Sequence, residues 1–460
     1  MTKDTFLPSD PSDDPLASCP AAPAAGLSRR RFLKRAGAGA GVLAATTVGG
    51  ELLQSGKALG ASKGSESGDP TAAQLNANGW SGAPAVKDLY ANLPAVPFHG
   101  IHQAGITTPK TPAACFASFN VLAKGRDELI ALLKQLTTTA RFLTTGGTLP
   151  DPLGSLAPPP DSGTLGETIP ADGLTITVGF GASLFDHRYG ISEHRPVRLK
   201  VMEPFPDDNL DPAQCGGDLV IQICGGSTDT VLHAIRLITN HTRGAMQLNW
   251  KIDGFSAPAR PTGVPRNNFG FNDGIANPNV AEDAVANKLL WVTEGIGEPA
   301  WATGGSYNAV RIIQQFIEFW DRVSLNEQEQ MIGRHRGSGA PLGASKQQDV
   351  PDFKADPLGY VIPLTAHIRL VNPRTAATDM SRIYRRGYNY ERGVDLNGNL
   401  DMGLIFSCYQ QDLERQFIAN QTRLIGEPMV DYISPVGGGY FFTLPGVRDE
   451  HDWYASALFS

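Results

Sequence analysis

The feature that most constrains the fold is an alternation of short β-branched runs with single amphipathic helices, interrupted by two proline-rich stretches. Residues 126–143 place Leu129, Ile130, Leu132, Leu133 and Leu136 at helical spacing, which predicts one helix with one apolar face. Residues 149–173 carry Pro150, Pro152, Pro158, Pro159, Pro160 and Pro170 and read as a long surface loop. Residues 174–180 alternate Thr175 and Thr177 with Ile176 and Val178, which predicts a strand. A second β-branched run spans 218–224, and 230–242 returns to helical spacing with Leu232, Ile235, Leu237 and Ile238. Three prolines within 258–265 mark a seam between two halves. Beyond it, 310–320 reads as a buried strand, and Ser324 with Glu327 offers a capping box for a helix through Ile332. No regular βαβ rhythm runs through these elements, so the expected class is α+β rather than a doubly wound sheet. No internal repeat is visible by eye.

Three short motifs carry residues suited to chemistry. They are Gly270-Phe271-Asn272-Asp273-Gly274-Ile275-Ala276-Asn277-Pro278, then Ala366-His367-Ile368-Arg369-Leu370-Val371-Asn372-Pro373-Arg374, then Arg385-Arg386-Gly387-Tyr388. Each alone is weak, because Asp-Gly is a common turn, a lone histidine is more often structural and an arginine pair is usually solvated. Together they place an imidazole, a carboxylate and a permanent cation in a fixed order. Neutral His367 is suited to donate to a metal through one nitrogen while the other gives an orienting hydrogen bond. Asp273, between two glycines that let backbone approach closely, is suited to act first as base and then as acid. Arg385 stays charged and suits stabilisation of negative charge.

In this order, the motifs resemble the dye-decolorizing peroxidase family, most closely its deferrochelatase/peroxidase subgroup. Leu174-Thr175-Ile176-Thr177-Val178-Gly179-Phe180-Gly181 and Gly437-Gly438-Gly439-Tyr440-Phe441-Phe442-Thr443-Leu444-Pro445-Gly446 extend the likeness, which runs from about Val86 to the C-terminal end. The resemblance implies two ferredoxin-like halves, 86–257 and 258–460, each an antiparallel sheet with flanking helices. It implies heme b, bound non-covalently and mainly by the second half, with His367 as proximal iron ligand and Asp273 and Arg385 as catalytic residues of the open side. Gly274, Ile275, Ala276, Asn372, Pro373, Arg374 and Arg385 are then expected at the cofactor, Arg374 pairing with a propionate. Ile275 stands where relatives often have threonine. Leu404 and Phe406 line an apolar wall or simply pack on a strand. The hydrogen-bond acceptor of His367 is open among Asp412, Asp431 and a backbone carbonyl. Tyr384, Tyr388, Tyr390 and Trp320 are relay candidates by redox type, although packing is the simpler reading of each.

The implied activity is reduction of hydrogen peroxide through a high-valent iron–oxo intermediate, with oxidation of phenols, dyes or ferrous iron as reducing substrates. Two alternatives remain at this level: a deferrochelatase that releases iron from heme with the porphyrin intact, or a non-catalytic heme- or iron-binding component of an iron-uptake system. A homo-oligomer is compatible with either.

The N-terminus carries Ser28-Arg29-Arg30-Arg31-Phe32-Leu33-Lys34, followed by an uncharged Ala/Gly-rich stretch through residue 50. This is a twin-arginine export pattern, predicting passage through the twin-arginine translocase to the periplasm or extracellular space. The stretch falls short of the roughly 20 apolar residues that a spanning helix needs. Residues 1–60 form the predicted signal peptide, with cleavage near Ala61, and 61–85 a flexible lead-in. Residues 1–60 hold seven Lys/Arg and five Asp/Glu, so their loss takes the net charge from −7 to −9. An acidic mature chain without a basic cluster argues against a nucleic-acid partner. No Cys-x-x-Cys-His occurs, which excludes the usual covalent heme attachment, and no Cys/His group has zinc spacing. Cys115, Cys215, Cys224 and Cys408 remain after loss of Cys19 and are expected as buried free thiols.

Overall fold

The computed structural model describes residues 93–150, 158–258, 260 and 263–460. The signal peptide and lead-in expected over 1–85 lie outside the described residues, as do 151–157 of the proline-rich loop and three positions of the seam.

The first half contains β1 (Ala113–Val121), α1 (Arg126–Thr145), β2 (Thr175–Gly181), β3 (Leu219–Gly225), α2 (Thr228–His241) and β4 (Met246–Phe255). Helix α1 forms where the leucine spacing predicts it. Leu129, Leu132, Leu133, Leu136, Ala140 and Leu143 are buried, Asp127 and Glu128 lie in the first turn, and Gly146 at φ +77 donates its N–H to Phe142 O to end the helix. Each of those leucines contributes roughly 1.5–3 kcal/mol by leaving water.

The second half contains β5 (Ser306–Gln315), α3 (Leu325–Ile332), α4 (His367–Val371), β6 (Tyr384–Arg385), β7 (Tyr388–Val394), β8 (Leu400–Gln410) and β9 (Ile433–Thr443). The N-cap half of the expected capping box forms, with Ser324 Oγ accepting from Glu327 N. The strand expected over 310–320 is a correction in part: it ends at Gln315, and Ile317–Trp320 is a helical turn. β-Branched and aromatic content marked the whole run as buried, but Phe316 at ψ 75 leaves the extended region, and Trp320 then turns inward to stack on Phe269.

Strand order shows a repeat that residue identity hides. The first sheet runs β2-β3-β1-β4 and the second β9-β5-β8-β7. Numbering the four main strands of each half in chain order gives the same ferredoxin-like order twice, read in opposite directions. The sheets join at both edges, through three residue pairs between β2 and β9 and through Phe255 opposite Asn389 between β4 and β7. Because β5 pairs with both β8 and β9, the ladder closes into a ring with no free edge among these eight strands. Phe116, Trp250, Val310, Ile312, Tyr388 and Ile405, drawn from both halves, form one buried cluster.

The Gly437–Gly439 run explains itself here. A Cβ on Gly438, which sits at φ +116, would lie 2.0 Å from Val310 O, and one on Gly437 would lie 2.6 Å from Gln214 O. Strand β9 is thus squeezed between β5 and a loop of the first half. Cys115, Cys224 and Cys408 are buried free thiols, and Cys215 is buried.

Candidate active site

Strand alternation creates the site. On β5, Val310 and Ile312 enter the buried cluster while Arg311, Ile313 and Gln315 face the other way; on β8, Ile405 enters the cluster while Leu404 and Phe406 face the other way. These outward residues line a cavity enclosing about 1690 Å³, part of it continuous with solvent. The crossovers of the second half close over it and bring in the motif residues.

His367 opens α4 and lines the cavity. Its place is set by the approach of α3: Gly333, at φ +90, ends that helix, and a Cβ there would lie 2.7 Å from Ile368 Cγ1. Arg369 anchors the same short helix to the preceding loop, donating to Asp356 Oδ2 (3.1 Å), Asp356 O (2.6 Å) and Ile362 O (2.8 Å). The Nδ1 of His367 lies 2.8 Å from Oε2 of buried Glu427. This leaves Nε2 for the cavity. Burial pulls the imidazole pKa down, but the Glu427 carboxylate offsets this, and the net direction is upward.

The acceptor is therefore Glu427 and neither Asp412 nor Asp431. Asp412 pairs with Arg198 at 2.8 Å, and Asp431 is exposed. Glu427 lies 60 residues from His367, and nothing local in its sequence announces the contact. The first half helps to place it, since Asp207 Oδ2 accepts from the N–H of neighbouring Gly426 at 2.9 Å.

Asp273 and Arg385 face the same cavity and pair with each other, Oδ1 to a terminal guanidinium nitrogen at 3.1 Å. Arg386 points elsewhere: it is buried and donates to the carbonyls of Thr108 and Pro109 in the first half. Asn272, Ile275, Ala276, Asn372 and Arg374 also line the cavity, as do Leu404 and Phe406. Gly274 and Pro373 lie beside these in the chain and are not among the lining residues. Of the relay candidates, Trp320, Tyr388 and Tyr390 are buried in the core, and Tyr384 is partly exposed on β6.

Two further arginines face the cavity: Arg374, which its motif pointed to, and Arg334, which nothing in the sequence singled out. Arg334 lines the cavity, donates only to the backbone carbonyls of Gly339 and Gln347, and is pulled down to about 10 by burial and by Arg374 and Arg385. Arg374 sits at φ +57, its buried Nε has no partner, and burial and Arg382 lower its pKa. Both therefore await an anion. Apolar walls, one imidazole with a free nitrogen and uncompensated guanidinium groups fit heme, whose carboxylates would answer the arginines. No group of three or more His, Cys, Asp or Glu side chains suited to a bare metal ion occurs among the described residues. None of the other described histidines lines the cavity.

Fold and cavity together define an α+β protein of two like halves with a cavity, mainly in the second, that presents a single histidine. The model of the N-terminal Dyp-type peroxidase domain matches residues 103–256, and that of the C-terminal domain matches 264–448. A deferrochelatase of Escherichia coli strain K12 is 49% identical over 366 residues, covering 79% of this chain and 86% of its own. One from Yersinia pestis strain Nepal516 is 48% identical over 366 residues, with 79% and 84% covered. Among solved structures, ferric DtpA from Streptomyces lividans aligns with a TM-score of 0.72 at 32% identity, covering 82% of this chain and all of the other. The chain belongs to the Dyp-type peroxidase family. It is a heme-dependent peroxidase, taking hydrogen peroxide and a reducing substrate.

Proposed function

We propose that this chain is exported by the twin-arginine route and reduces hydrogen peroxide at heme b, held non-covalently in the second half by His367. The carrying observation is that the Glu427-oriented imidazole and the Asp273–Arg385 ion pair open onto one cavity. Heme bound there supplies the redox-active iron. His367 would hold it through Nε2, while Nδ1–H donates to Glu427, which fixes the ring and raises its basicity. Arg374 and Arg334 would pair with its carboxylates, and Ile275, Ala276 and Asn372 would help to hold it.

Asp273 would take a proton from one oxygen of hydrogen peroxide and deliver it to the other, which departs as water, with bound heme supplying the two electrons that cleave the bond. Arg385, paired with the carboxylate, would stabilise the negative charge that develops as the oxygen–oxygen bond opens. Asp273→Ala and Arg385→Leu test these roles. At least one is expected to slow the peroxide reaction by about a hundredfold or more while heme stays bound. Unchanged rates in both would reduce the protein to a heme carrier, a component of iron uptake without turnover.

The name of its relatives, deferrochelatase, supports a second reading in which iron leaves heme and the porphyrin remains intact. Stoichiometric free protoporphyrin, detected by fluorescence, separates it from peroxidation. Export rests on residues 28–34. Replacing Arg29 and Arg30 with lysine is expected to leave the protein in the cytoplasm, read by fractionation, and export of the variant would end that reading.

A further inference from the structure

Strand β6 is only two residues long and pairs on one side with β8, Tyr384 opposite Tyr409 and Arg385 opposite Cys408. The N–H of Arg386 donates to Ser407 O, toward β8. Backbone groups alternate in direction along a strand, so the N–H and C=O of Arg385 face the opposite edge. No strand pairs there among the described residues. The side-chain amide of Asn277 fills that edge instead. Its Oδ1 accepts from Arg385 N at 3.1 Å, and its Nδ2 donates to Arg385 O at 2.8 Å.

Asn277 belongs to the loop that carries Asp273. The loop is folded by Asn277 N donating to Gly274 O at 3.2 Å, with Gly274 at φ +95, and is tied down by Asp273 N donating to Pro265 O at 3.0 Å. One loop therefore grips Arg385 at both ends: Asn277 holds its backbone and Asp273 its guanidinium, at 3.1 Å. The spacing of carboxylate and cation is set by this double grip rather than by the ion pair alone, whose long side chains are both partly exposed.

We propose that Asn277 is a positioning residue for the peroxide reaction, acting through Arg385 by taking the place of a missing neighbouring strand. The inference rests on the role given above to Arg385. Misplacing a charge-stabilising group by about an ångström costs on the order of a hundredfold. Loss of the amide should cost about 10–100-fold in the peroxide step and leave the later reduction steps alone, since those need electron transfer but no aligned cation.

The test uses mature, heme-loaded protein carrying Asn277→Ala, Arg385→Ala or both. Stopped-flow absorption gives the second-order rate with hydrogen peroxide and, separately, the rate at which ferrocyanide reduces the oxidised protein. Expected are a slowed peroxide step in Asn277→Ala, an unchanged ferrocyanide step, full heme stoichiometry, and a double variant no slower than Arg385→Ala. A normal peroxide rate in Asn277→Ala beside a slow Arg385→Ala overturns the positioning role and leaves that of Arg385 standing. Losses that multiply in the double variant overturn it too, because Asn277 would then act on something else. A fast Arg385→Ala removes the reading on which the inference rests. If Asn277→Ala does not retain heme, isosteric Asn277→Asp carries the same comparison, since it keeps the acceptor but turns the donor into an oxygen facing Arg385 O.

Discussion

Glu427 is the residue on which the orientation of His367 most depends, and under the proposed function its substitution has a calculable effect. Its carboxylate is buried and lies 2.8 Å from His367 Nδ1, and among the described residues no other side chain shares that imidazole nitrogen. A hydrogen bond to a charged partner contributes about 1.5–3 kcal/mol, which corresponds to roughly 10–150-fold in a binding constant. Outer partners of metal-bound histidines typically cost about 10–100-fold when removed, which agrees. Glu427→Gln keeps volume and an acceptor oxygen, so it isolates the charge; Glu427→Leu removes the acceptor as well. Heme affinity of the apoprotein is expected to fall about tenfold in the first and toward a hundredfold in the second. The ferric/ferrous midpoint potential should rise in the same order, because a less basic imidazole stabilises ferric iron less. Titration of apoprotein with hemin and spectroelectrochemistry read the two quantities. Wild-type affinity and potential in both variants would refute the reasoning, for the imidazole would then be oriented by something other than Glu427.

Three other outcomes follow from the same structure. Gly438→Ala should lower stability by roughly 2–5 kcal/mol in denaturant melts, since it combines a clash with Val310 O and a left-handed φ; an unchanged midpoint would contradict the β5–β9 contact. The four described cysteines are buried, and burial raises the thiol pKa of Cys115 and Cys408, so the native protein should resist iodoacetamide at neutral pH. Unfolding should then expose Cys115, Cys224 and Cys408 to labelling, and rapid native labelling would count against the packing. Arg374→Ala should weaken heme retention in a transfer assay to apomyoglobin without altering the fold by circular dichroism, and unaltered retention would remove its propionate role.

Much of the site was legible because its residues lie in compact motifs. His367, Asp273 and Arg385 sit in runs whose glycines and prolines are needed locally, and strand alternation decides that Arg385 rather than Arg386 faces the cavity. The amphipathic helices and the strand at 175–181 were equally plain, because burial on one face imposes a period. Glu427 and Arg334 were invisible for the opposite reason. Each reaches the cavity from a long crossover, and contacts made 60 residues apart leave no spacing to read. The repeated strand order was hidden because the crossovers differ: the first half uses two regular helices, and the second uses loops, short helices and the residues of the site. Asn277 was quoted within its motif but had no visible task until the free edge of β6 was known.

The most direct test of the central claim is the visible absorption spectrum of mature, heme-loaded protein before and after a stoichiometric amount of hydrogen peroxide, beside His367→Ala. The account predicts a Soret band that shifts within the stopped-flow window in the wild type, and a resting spectrum altered in the variant by loss of the axial imidazole. Stable heme binding with no spectral response to peroxide, or a variant indistinguishable from wild type, would contradict it.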